Sequence, residues 1–340
     1  MISSMHWPCA ALQRAPLADR TTMRVGGAAE WLLEPKSLDE LAKAVAAARE
    51  SGLSVRVLGK GANLIVEDGE IPGVVVATDR LNLMWRPDPA EGGEALESLL
   101  DALRHGRQPD ARLAPQAREE GLRLLALCGA THQKLVSTVV ELGWSGLEGL
   151  VGVPGHVGGG VAMNAGGKWG EMWSVVEAIV VVDDDGELRV LRREQCEPSY
   201  RNGNLGAKVV AAALLKFRLD DKLAVKERTR NFLKEKNAVQ PVTEWSAGCV
   251  FKNPDPVASC GKTTGRLVDE AGLKGRMVGG AQISPKHGNF IVNTGAATAS
   301  DVLELVRIVQ ESVFERFGVQ LEMEAKVWRA ATDATRAPRG

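Results

Sequence analysis

The sequence has few aromatic residues and no excess of charge of either sign. Aromatic residues make up 4% of the 340 residues, and Tyr200 is the single tyrosine. Lysine and arginine, 42 in number, nearly balance the 43 aspartates and glutamates, which leaves a formal charge of −1. Without a basic field, the chain has no strong electrostatic attraction for nucleic acid or for an anionic membrane. The expected partner is therefore a small molecule.

Cysteine is also sparse, and its spacing is irregular. The five cysteines are odd in number and form no C-x-x-C pair, so neither a disulfide framework nor a zinc site is predicted. The aspartates 183–185 lack the spaced ligands and distal glutamate of a calcium loop. The sequence also lacks a secretion signal and an apolar run of about 18 or more residues. These absences predict a cytoplasmic protein without a bound metal.

Glycine is abundant, and nine glycines lie in the run from Glu148 to Gly170, EGLVGVPGHVGGGVAMNAGGKWG. Glycine loses more conformational freedom on folding than other residues, so such a cluster indicates backbone at positive φ or backbone lying against a ligand. Exposed backbone N–H groups in such loops suit a pyrophosphate. The run does not fit the dinucleotide fingerprint G-x-G-x-x-G. We therefore predict a nucleotide-like ligand on a non-Rossmann loop; a glycine-rich surface loop without a ligand is the alternative.

A second glycine loop, Gly59–Asn63, lies among predicted α/β elements. Before it, Ser37 and Glu40 form a capping-box pattern, and apolar spacing predicts a helix over 38–51 that Gly52 ends. Glycine loops at strand ends are common phosphate sites in α/β folds. Strands are predicted at residues 55–58, 64–66 and 74–77.

The composition changes between residues 86 and 121, which we interpret as an insertion, either a surface elaboration or a partner-binding segment. Downstream elements are predicted as a helix closed by Gly143, a hairpin around Asp184, a strand over 209–217, a helix closed by Gly272, a long helix capped by Ser300, and a strand over 319–328. The last residues, 331–340, are predicted to be disordered.

The segment SAGCVFKNP places a thiol, an ammonium and an amide close together. Strand alternation predicts Cys249 and Phe251 on one face, and Val250 and Lys252 on the other. Free cysteine commonly serves as a small buried residue, so a packing role and a catalytic role for Cys249 both remain open. The nearby Gly-Lys-Thr at 261–263 is not a P-loop, because Pro256 stands where the first glycine is needed.

Eight segments, in order, resemble the UDP-N-acetylenolpyruvoylglucosamine reductase (MurB) family, in the branch that lacks an extra substrate-covering loop. They are TTMRVGG, LGKGANLIVEDG, SGLEGLVGVPGHVGGGVAMNAGG, CEPSYRN, QP…SAGCVFKNP, GRLVDEAGLKG, HGNFIVN and LEMEAK. The resemblance implies an α+β fold: a two-part FAD-binding region like that of vanillyl-alcohol oxidases (PCMH-like), followed by a C-terminal α+β substrate domain. The implied boundaries are 1–80, 81–220 and 221–330.

The resemblance also implies the reaction and its cofactors. NADPH would reduce FAD, and the flavin would then reduce UDP-N-acetylglucosamine enolpyruvate to UDP-N-acetylmuramate for peptidoglycan synthesis, in a protein expected to be a monomer. The implied cofactor-binding residues are Gly59, Lys60, Gly61, Ala62, Asn63, Leu64, Val153, Pro154, Gly155, Gly158, Gly159, Met163, Asn164, Ala165 and Gly166.

Three catalytic residues are implied by position. Arg201 would stabilise the substrate carboxylate, Cys249 stands where the family has its proton-donating serine, and Glu324 would complete the group, with Glu322 as the alternative. We expect neighbouring cations to lower the thiol pKa. The implied substrate-binding residues are Tyr200, Lys236, Lys252, Asn253 and His287.

The sequence departs from the family pattern at Lys60, Ala62 and His156, where small residues, serine and threonine are usual. Two other functions stay open: another FAD-dependent oxidoreductase of the same superfamily, acting on an alcohol or lactone, and a nucleotide-binding module without catalysis. The C-terminal segments GCVFKNP and LEMEAK favour the reductase over another FAD-dependent oxidoreductase. A yellow protein that NADPH bleaches would distinguish a working enzyme from the non-catalytic module.

Overall fold

The computed structural model of the chain describes residues 6–104 and 122–331. Its helices are α1 (Leu38–Glu50), α2 (Ala95–Arg104), α3 (His132–Leu142), α4 (Val157–Ala162), α5 (Lys222–Val239), α6 (Thr264–Glu270) and α7 (Ala299–Phe317). Its strands are β1 (Ala10–Pro16), β2 (Ala28–Glu34), β3 (Val55–Leu58), β4 (Leu64–Val66), β5 (Glu70–Ala77), β6 (Met84–Trp85), β7 (Arg123–Leu127), β8 (Trp144–Ser145), β9 (Gly166–Gly167), β10 (Gly170–Glu171), β11 (Val176–Val182), β12 (Leu188–Arg192), β13 (Val209–Lys216), β14 (Arg218–Leu219), β15 (Trp245–Cys249), β16 (Met277–Val278), β17 (Ala281–Ile283), β18 (Phe290–Asn293) and β19 (Lys326–Trp328).

The first sheet has the order β1-β2-β5-β3, with β1 antiparallel to β2 and the other pairs parallel. Helix α1 begins as predicted, because the Ser37 hydroxyl accepts a hydrogen bond from the Glu40 N–H at 3.1 Å. The Glu40 carboxylate accepts from the Lys36 N–H at 2.8 Å, so the reciprocal half of the capping box bonds to Lys36. Gly52 follows the helix at a φ of 68°.

The second sheet is antiparallel throughout, with the order β12-β11-β13-β7-β6. Helices α1 and α2 bury apolar faces in a core that residues of both sheets share. Leu96, Leu99 and Leu100 of α2 are buried there, so the described part of the predicted insertion contributes one face to the core, while Asp88, Glu94 and Glu97 are exposed. Residues 105–121 of that segment lie outside the described residues. Helices α3 and α4 cover the other face of the second sheet.

The third sheet, β15-β18-β17-β16, packs against α6 and α7. The predicted alternation of Cys249 and Phe251 against Val250 and Lys252 stays a prediction: Val250 and Phe251 are both buried, and β15 ends at Cys249. The strand is irregular just before this segment, because Gly248 has a φ of 76° and the pairing with β18 shifts register between Ser246 and Cys249. A shift of register of this kind breaks the period-two pattern of a strand.

Two further expectations for the C-terminal part are corrected. Thr298, and not Ser300, caps α7: its hydroxyl accepts from the Asp301 N–H at 3.1 Å, and the Asp301 carboxylate accepts from the Thr298 N–H at 2.9 Å. Of the strand predicted over 319–328, only β19 (Lys326–Trp328) is a strand, and it pairs in parallel with β4. Residues 332–340 of the predicted disordered tail lie outside the described residues.

The three implied domains share elements. Val225 of α5 is buried in the core beneath the second sheet, whereas Met23, Val25 and Ile65 from the N-terminal part are buried in the C-terminal core. None of the helices within residues 6–104 and 122–331 is long and apolar enough to cross a lipid bilayer.

Candidate active site

The first glycine loop is held from the N-terminal side. Gly61 has a φ of 61°, and a Cβ there would lie 2.7 Å from the Thr21 Cα, so the loop needs glycine at this position. The Gly61 carbonyl accepts a hydrogen bond from the Thr22 N–H at 3.2 Å. Lys60 is exposed and Leu64 is buried in β4, while Gly59 packs against His156.

The long glycine run is not all loop, because Val157–Ala162 forms the short helix α4. Gly158 and Gly160 allow it to pack closely: added Cβ atoms would lie 2.8 Å from the Cys128 Cβ and 2.3 Å from His132 Nε2. Gly159 differs, since it is exposed and a Cβ there would meet nothing within 4 Å. The run therefore packs on one side and leaves backbone open on the other, which fits a bound cofactor. Val153, Pro154, Gly155, Ala165 and Gly166 lie on the same run.

Asn63 connects the first loop to two other parts of the site. Its Nδ2 donates to the Glu324 carbonyl at 3.0 Å and lies 3.3 Å from Met163 Sδ. Two residues predicted to bind the cofactor, Asn63 and Met163, are thus brought together with the predicted catalytic Glu324. The contact joins the first loop, the glycine run and the C-terminal segment.

Asn164 has an internal role, because both ends of its buried side chain bond to the protein. Its Nδ2 donates to the Ser199 carbonyl at 3.0 Å, and its Oδ1 accepts from the Trp173 N–H at 3.2 Å. The Ala162 carbonyl also accepts from the Gly203 N–H at 3.0 Å. These bonds attach the glycine run to the turn that carries Arg201. Asn164 therefore positions that turn, because each end of its side-chain amide makes a hydrogen bond there.

Arg201 and Glu324 form an ion pair across the site, with Nε and Oε1 2.5 Å apart and both side chains largely buried. Arg201 has a φ of 57°, a conformation that is uncommon for a residue with a side chain. Its guanidinium lies 4.9 Å from the centre of the exposed Tyr200 ring. Burial raises the pKa of Glu324, and Arg201 opposes that rise. Glu322, the alternative to Glu324, points instead to solvent and pairs with Lys252 at 2.5 Å.

Cys249 completes this group, since both Arg201 and Glu324 act on its ionisation. Burial, together with the Glu324 carboxylate, raises the pKa of the thiol to about 12 against the opposing charge of Arg201. The expectation of a lowered thiol pKa is therefore wrong, although Arg201 itself acts in the lowering direction. The reason is that removal from water disfavours the thiolate more than one arginine, already paired with a carboxylate, favours it. The thiol stays protonated at neutral pH.

Asn289 fixes the backbone beside Cys249 and was missed by sequence reasoning. Its side chain accepts from the Phe251 N–H at 2.9 Å and donates to the Phe251 carbonyl at 2.8 Å, and all of these groups are buried. The neighbouring Val250 carbonyl accepts from the Glu324 N–H at 2.8 Å. The segments of Cys249 and Glu324 are thus held to one another by backbone bonds. An asparagine inside a predicted strand carries no signal of this role.

The predicted substrate residues near Cys249 bond within the C-terminal part. Lys252 pairs with Glu322, and Asn253 Oδ1 accepts from the Thr264 N–H at the start of α6, at 3.1 Å. His287 packs against Gly265 of α6, and its Nδ1 accepts from the Asn289 N–H at 3.1 Å. Its side chain therefore supports α6.

Lys236 lies apart from the Arg201 group. Its buried ammonium donates to the carbonyls of Gly149 and Val151 at 2.8 and 2.7 Å, so it supports the start of the glycine run. Burial lowers the pKa of Lys236 to about 8. It also lies 5.6 Å from the centre of the Trp169 ring, which stacks on Phe232.

Models of known families match the two ends of the chain. The UDP-N-acetylenolpyruvoylglucosamine reductase C-terminal domain matches residues 240–328, and an FAD binding domain matches residues 29–114. The reductase of Moorella thermoacetica is 36% identical over 319 residues, covering 93% of each chain. This chain belongs to the UDP-N-acetylenolpyruvoylglucosamine reductase family.

Other members of the reductase family are similar to this chain in sequence and in structure. The reductase of Listeria monocytogenes is 33% identical over 314 residues, covering 92% of this chain and 93% of that protein. The crystal structure of the Thermus caldophilus reductase superposes with a TM-score of 0.70 at 36% identity, covering 93% of this chain and 98% of that one. These findings confirm the predicted α+β fold and its FAD-binding region. They also confirm the family that the sequence motifs indicated.

Proposed function

We propose that the protein reduces the enolpyruvyl ether of UDP-N-acetylglucosamine to UDP-N-acetylmuramate, using FAD and NADPH. The observation that carries the proposal is the convergence of Arg201, Glu324 and Cys249 next to Asn63 and Met163. A cation, a carboxylate and a protonated thiol therefore border the two glycine loops assigned to FAD. A cytoplasmic location and a monomeric state remain predictions.

Bound FAD would supply a hydride to the terminal carbon of the enol ether. Negative charge then develops on the adjacent carbon and spreads into the substrate carboxylate. A guanidinium beside that carboxylate stabilises the transition state more than the ground state. This role for Arg201 is supported by the hydrogen bond from Asn164 that holds its turn and by the burial of its side chain. Its pairing with Glu324 keeps it oriented before substrate enters.

The second step is transfer of a proton from Cys249 Sγ to the carbon that carries the negative charge. The S–H bond breaks as the new C–H bond forms, and the thiolate is reprotonated from solvent. A thiol with a pKa of about 12 keeps its proton at neutral pH, so the donor form is fully populated. Glu324, beside both residues, helps to keep that proton on sulfur because its charge disfavours the thiolate.

The experiment separates the two half-reactions. We expect purified protein to be yellow, to bleach with NADPH without substrate, and to regain colour when the enolpyruvyl substrate is added. Arg201→Ala should bleach at the parent rate and be reoxidised roughly 10²- to 10³-fold more slowly. Arg218→Ala, which removes an exposed arginine of β14, is the matched control. Equal slowing of both half-reactions would give Arg201 a structural role, and a colourless protein that takes up no FAD would refute the proposed function.

A further inference from the structure

His156 lies between the two glycine loops. It precedes α4 in the long run, and its side chain is 4% exposed. A Cβ on Gly59 of the first loop would lie 3.4 Å from both Cβ and Nδ1 of His156. The imidazole therefore fills the space where the two loops approach each other.

One nitrogen of this buried ring has no partner. His156 Nδ1 makes no hydrogen bond with any described residue, and the hydroxyl-type cap that usually occupies this position before a helix is missing. Buried polar atoms in native proteins nearly always have a partner, so such a nitrogen indicates a group that binds there. On the opposite edge, Nε2 lies 3.9 Å from Asp79 Oδ1.

The charged groups around the ring are few. Asp79 faces it from the turn after β5, Lys60 from the first glycine loop, and the buried His132 from the start of α3. Burial lowers the pKa of His156, Asp79 raises it and Lys60 lowers it. The ring is therefore neutral in the free protein near pH 7. An anion placed on the Nδ1 side would join Asp79 in favouring the doubly protonated ring.

We propose that His156 donates its Nδ1–H to an oxygen of the FAD pyrophosphate, and that FAD binding is coupled to uptake of a proton by this side chain. The inference rests on the proposed placement of FAD against the two glycine loops. Glycine-rich backbone suits a pyrophosphate, and His156 is the buried side chain that touches both loops. It supplies a charged donor at a position where the backbone alone offers neutral N–H groups.

The test measures FAD binding to apoprotein by quenching of flavin fluorescence, with no turnover needed. His156→Phe keeps a ring but removes the donor, and we expect FAD to bind roughly 10- to 100-fold more weakly. His156→Asn places an amide N–H near the Nδ1 position and should stay within a few-fold of the parent. His156→Gln places its amide near the Nε2 position and should behave like His156→Phe. Melting temperatures of the apoproteins verify folding.

A second measurement tests the proton. Calorimetry of FAD binding at pH 7.5 in buffers of different ionisation enthalpy should show proton uptake by the parent and none by His156→Asn. FAD affinity of the parent should fall as pH rises, whereas that of His156→Asn should not. If His156→Phe is unfolded, the FAD affinities of His156→Asn and His156→Gln are compared instead, and a weaker affinity of His156→Gln supports the inference. Equal affinities of the parent and all folded variants would overturn this inference while leaving the proposed function intact; a parent apoprotein that binds no FAD would refute the proposed function itself.

Discussion

At the scale of single residues, the location of Cys249 could be predicted from the sequence, but its ionisation could not. Its place beside Arg201 follows from the matching motif, but its ionisation depends on how completely folding removes it from water. Burial raises the pKa of the thiol to about 12, and a thiol of such high pKa is a weak nucleophile near neutral pH because almost none is thiolate. Cys249 is therefore suited to give a proton and poorly suited to react with electrophiles.

We predict that Cys249→Ser keeps substantial activity and that Cys249→Ala accepts hydride from NADPH normally. The alanine variant should be reoxidised by substrate roughly 10²- to 10⁴-fold more slowly, the usual contribution of a general acid. Because the pKa of the thiol is about 12, Cys249 stays protonated as the pH rises. The rate of flavin reoxidation in the parent should therefore not fall through ionisation of Cys249 below about pH 10. Stopped-flow flavin reoxidation across pH checks both points. An alanine rate within a few-fold of the parent would remove Cys249 from the mechanism.

His132 gives a prediction about acid stability. Burial lowers the pKa of His132 to about 4 from an ordinary value of 6.5, so the unfolded chain binds the extra proton between these values. Stability then rises with pH through this window and is lost on acidification. Between pH 6.5 and 4.5 the parent should lose about 2 kcal/mol more unfolding free energy than His132→Phe. Urea unfolding at the two pH values measures this difference, with the exposed His6→Gln as control. Parallel losses in parent and His132→Phe would contradict it.

At the scale of elements, the sequence correctly predicted the helix ends and turns that depend on hydrogen bonds between neighbouring residues. The cap at Ser37, the glycine ends at Gly52 and Gly143, and the hairpin around Asp184 are formed as expected. The wrong predictions of helix ends occur where a side chain bonds to a residue that is distant in the sequence. Ser300 has a cap's chemistry, but its hydroxyl lies 3.3 Å from Asp68 Oδ2, leaving Thr298 as the cap.

The glycine run is the element where the sequence misled most. Glycine disfavours helix in isolation, yet Val157–Ala162 is helical, and its Gly158 and Gly160 lie where an added Cβ would clash with Cys128 and His132. The close packing explains why glycine occupies positions 158 and 160 of this helix. The candidate site residues came from matching motifs, whereas their mutual contacts, such as Asn63 to Glu324, required the fold.

We predict that Gly159→Val folds normally and loses FAD. A Cβ at Gly159 meets no protein atom within 4 Å, so the added side chain can clash only with what binds against that open backbone. The matched control is Gly167→Val, since Gly167 also has open space around it and lies outside the residues assigned to the cofactor. The flavin-to-protein ratio and the melting temperature are the measurements. A folded Gly159→Val protein with parental FAD content would move the cofactor away from this run.

At the scale of the whole molecule, the site is assembled from three parts of the chain. Asn63 comes from the first glycine loop, Arg201 from the turn after the second sheet's hairpin, and Glu324 from the C-terminal segment. The N-terminal segment joins the first glycine loop to the strand that ends at Cys249: the Thr22 N–H donates to the Gly61 carbonyl at 3.2 Å, and Thr22 Oγ1 donates to the Ser246 carbonyl at 2.7 Å. Small relative movements of the parts would therefore change the geometry around Cys249.

We predict that Asn293→Ala weakens this assembly. The Asn293 side chain donates to the Met23 carbonyl at 3.0 Å and accepts from the N–H groups of Gly295 and Ala297 at 2.8 and 3.1 Å. Removing it leaves the buried Met23 carbonyl without this donor, which should cost about 1–3 kcal/mol of unfolding free energy. Denaturant unfolding measures this loss, and the exposed Asn231→Ala on α5 is the control. A loss no larger than the control's would show that the hydrogen bonds of Asn293 contribute little to the unfolding free energy.

The parallel pairing of β19 with β4 has a consequence for biosynthesis. Lys326, Val327 and Trp328 pair with Leu64, Ile65 and Val66, so a strand next to the first glycine loop receives its partner from a segment that follows α7 in the sequence. A ribosome delivers the N-terminal part first. Until β19 emerges, the β4 backbone is an unpaired edge open to other chains. The backbone next to the first glycine loop is therefore fully paired only after synthesis has passed residue 328.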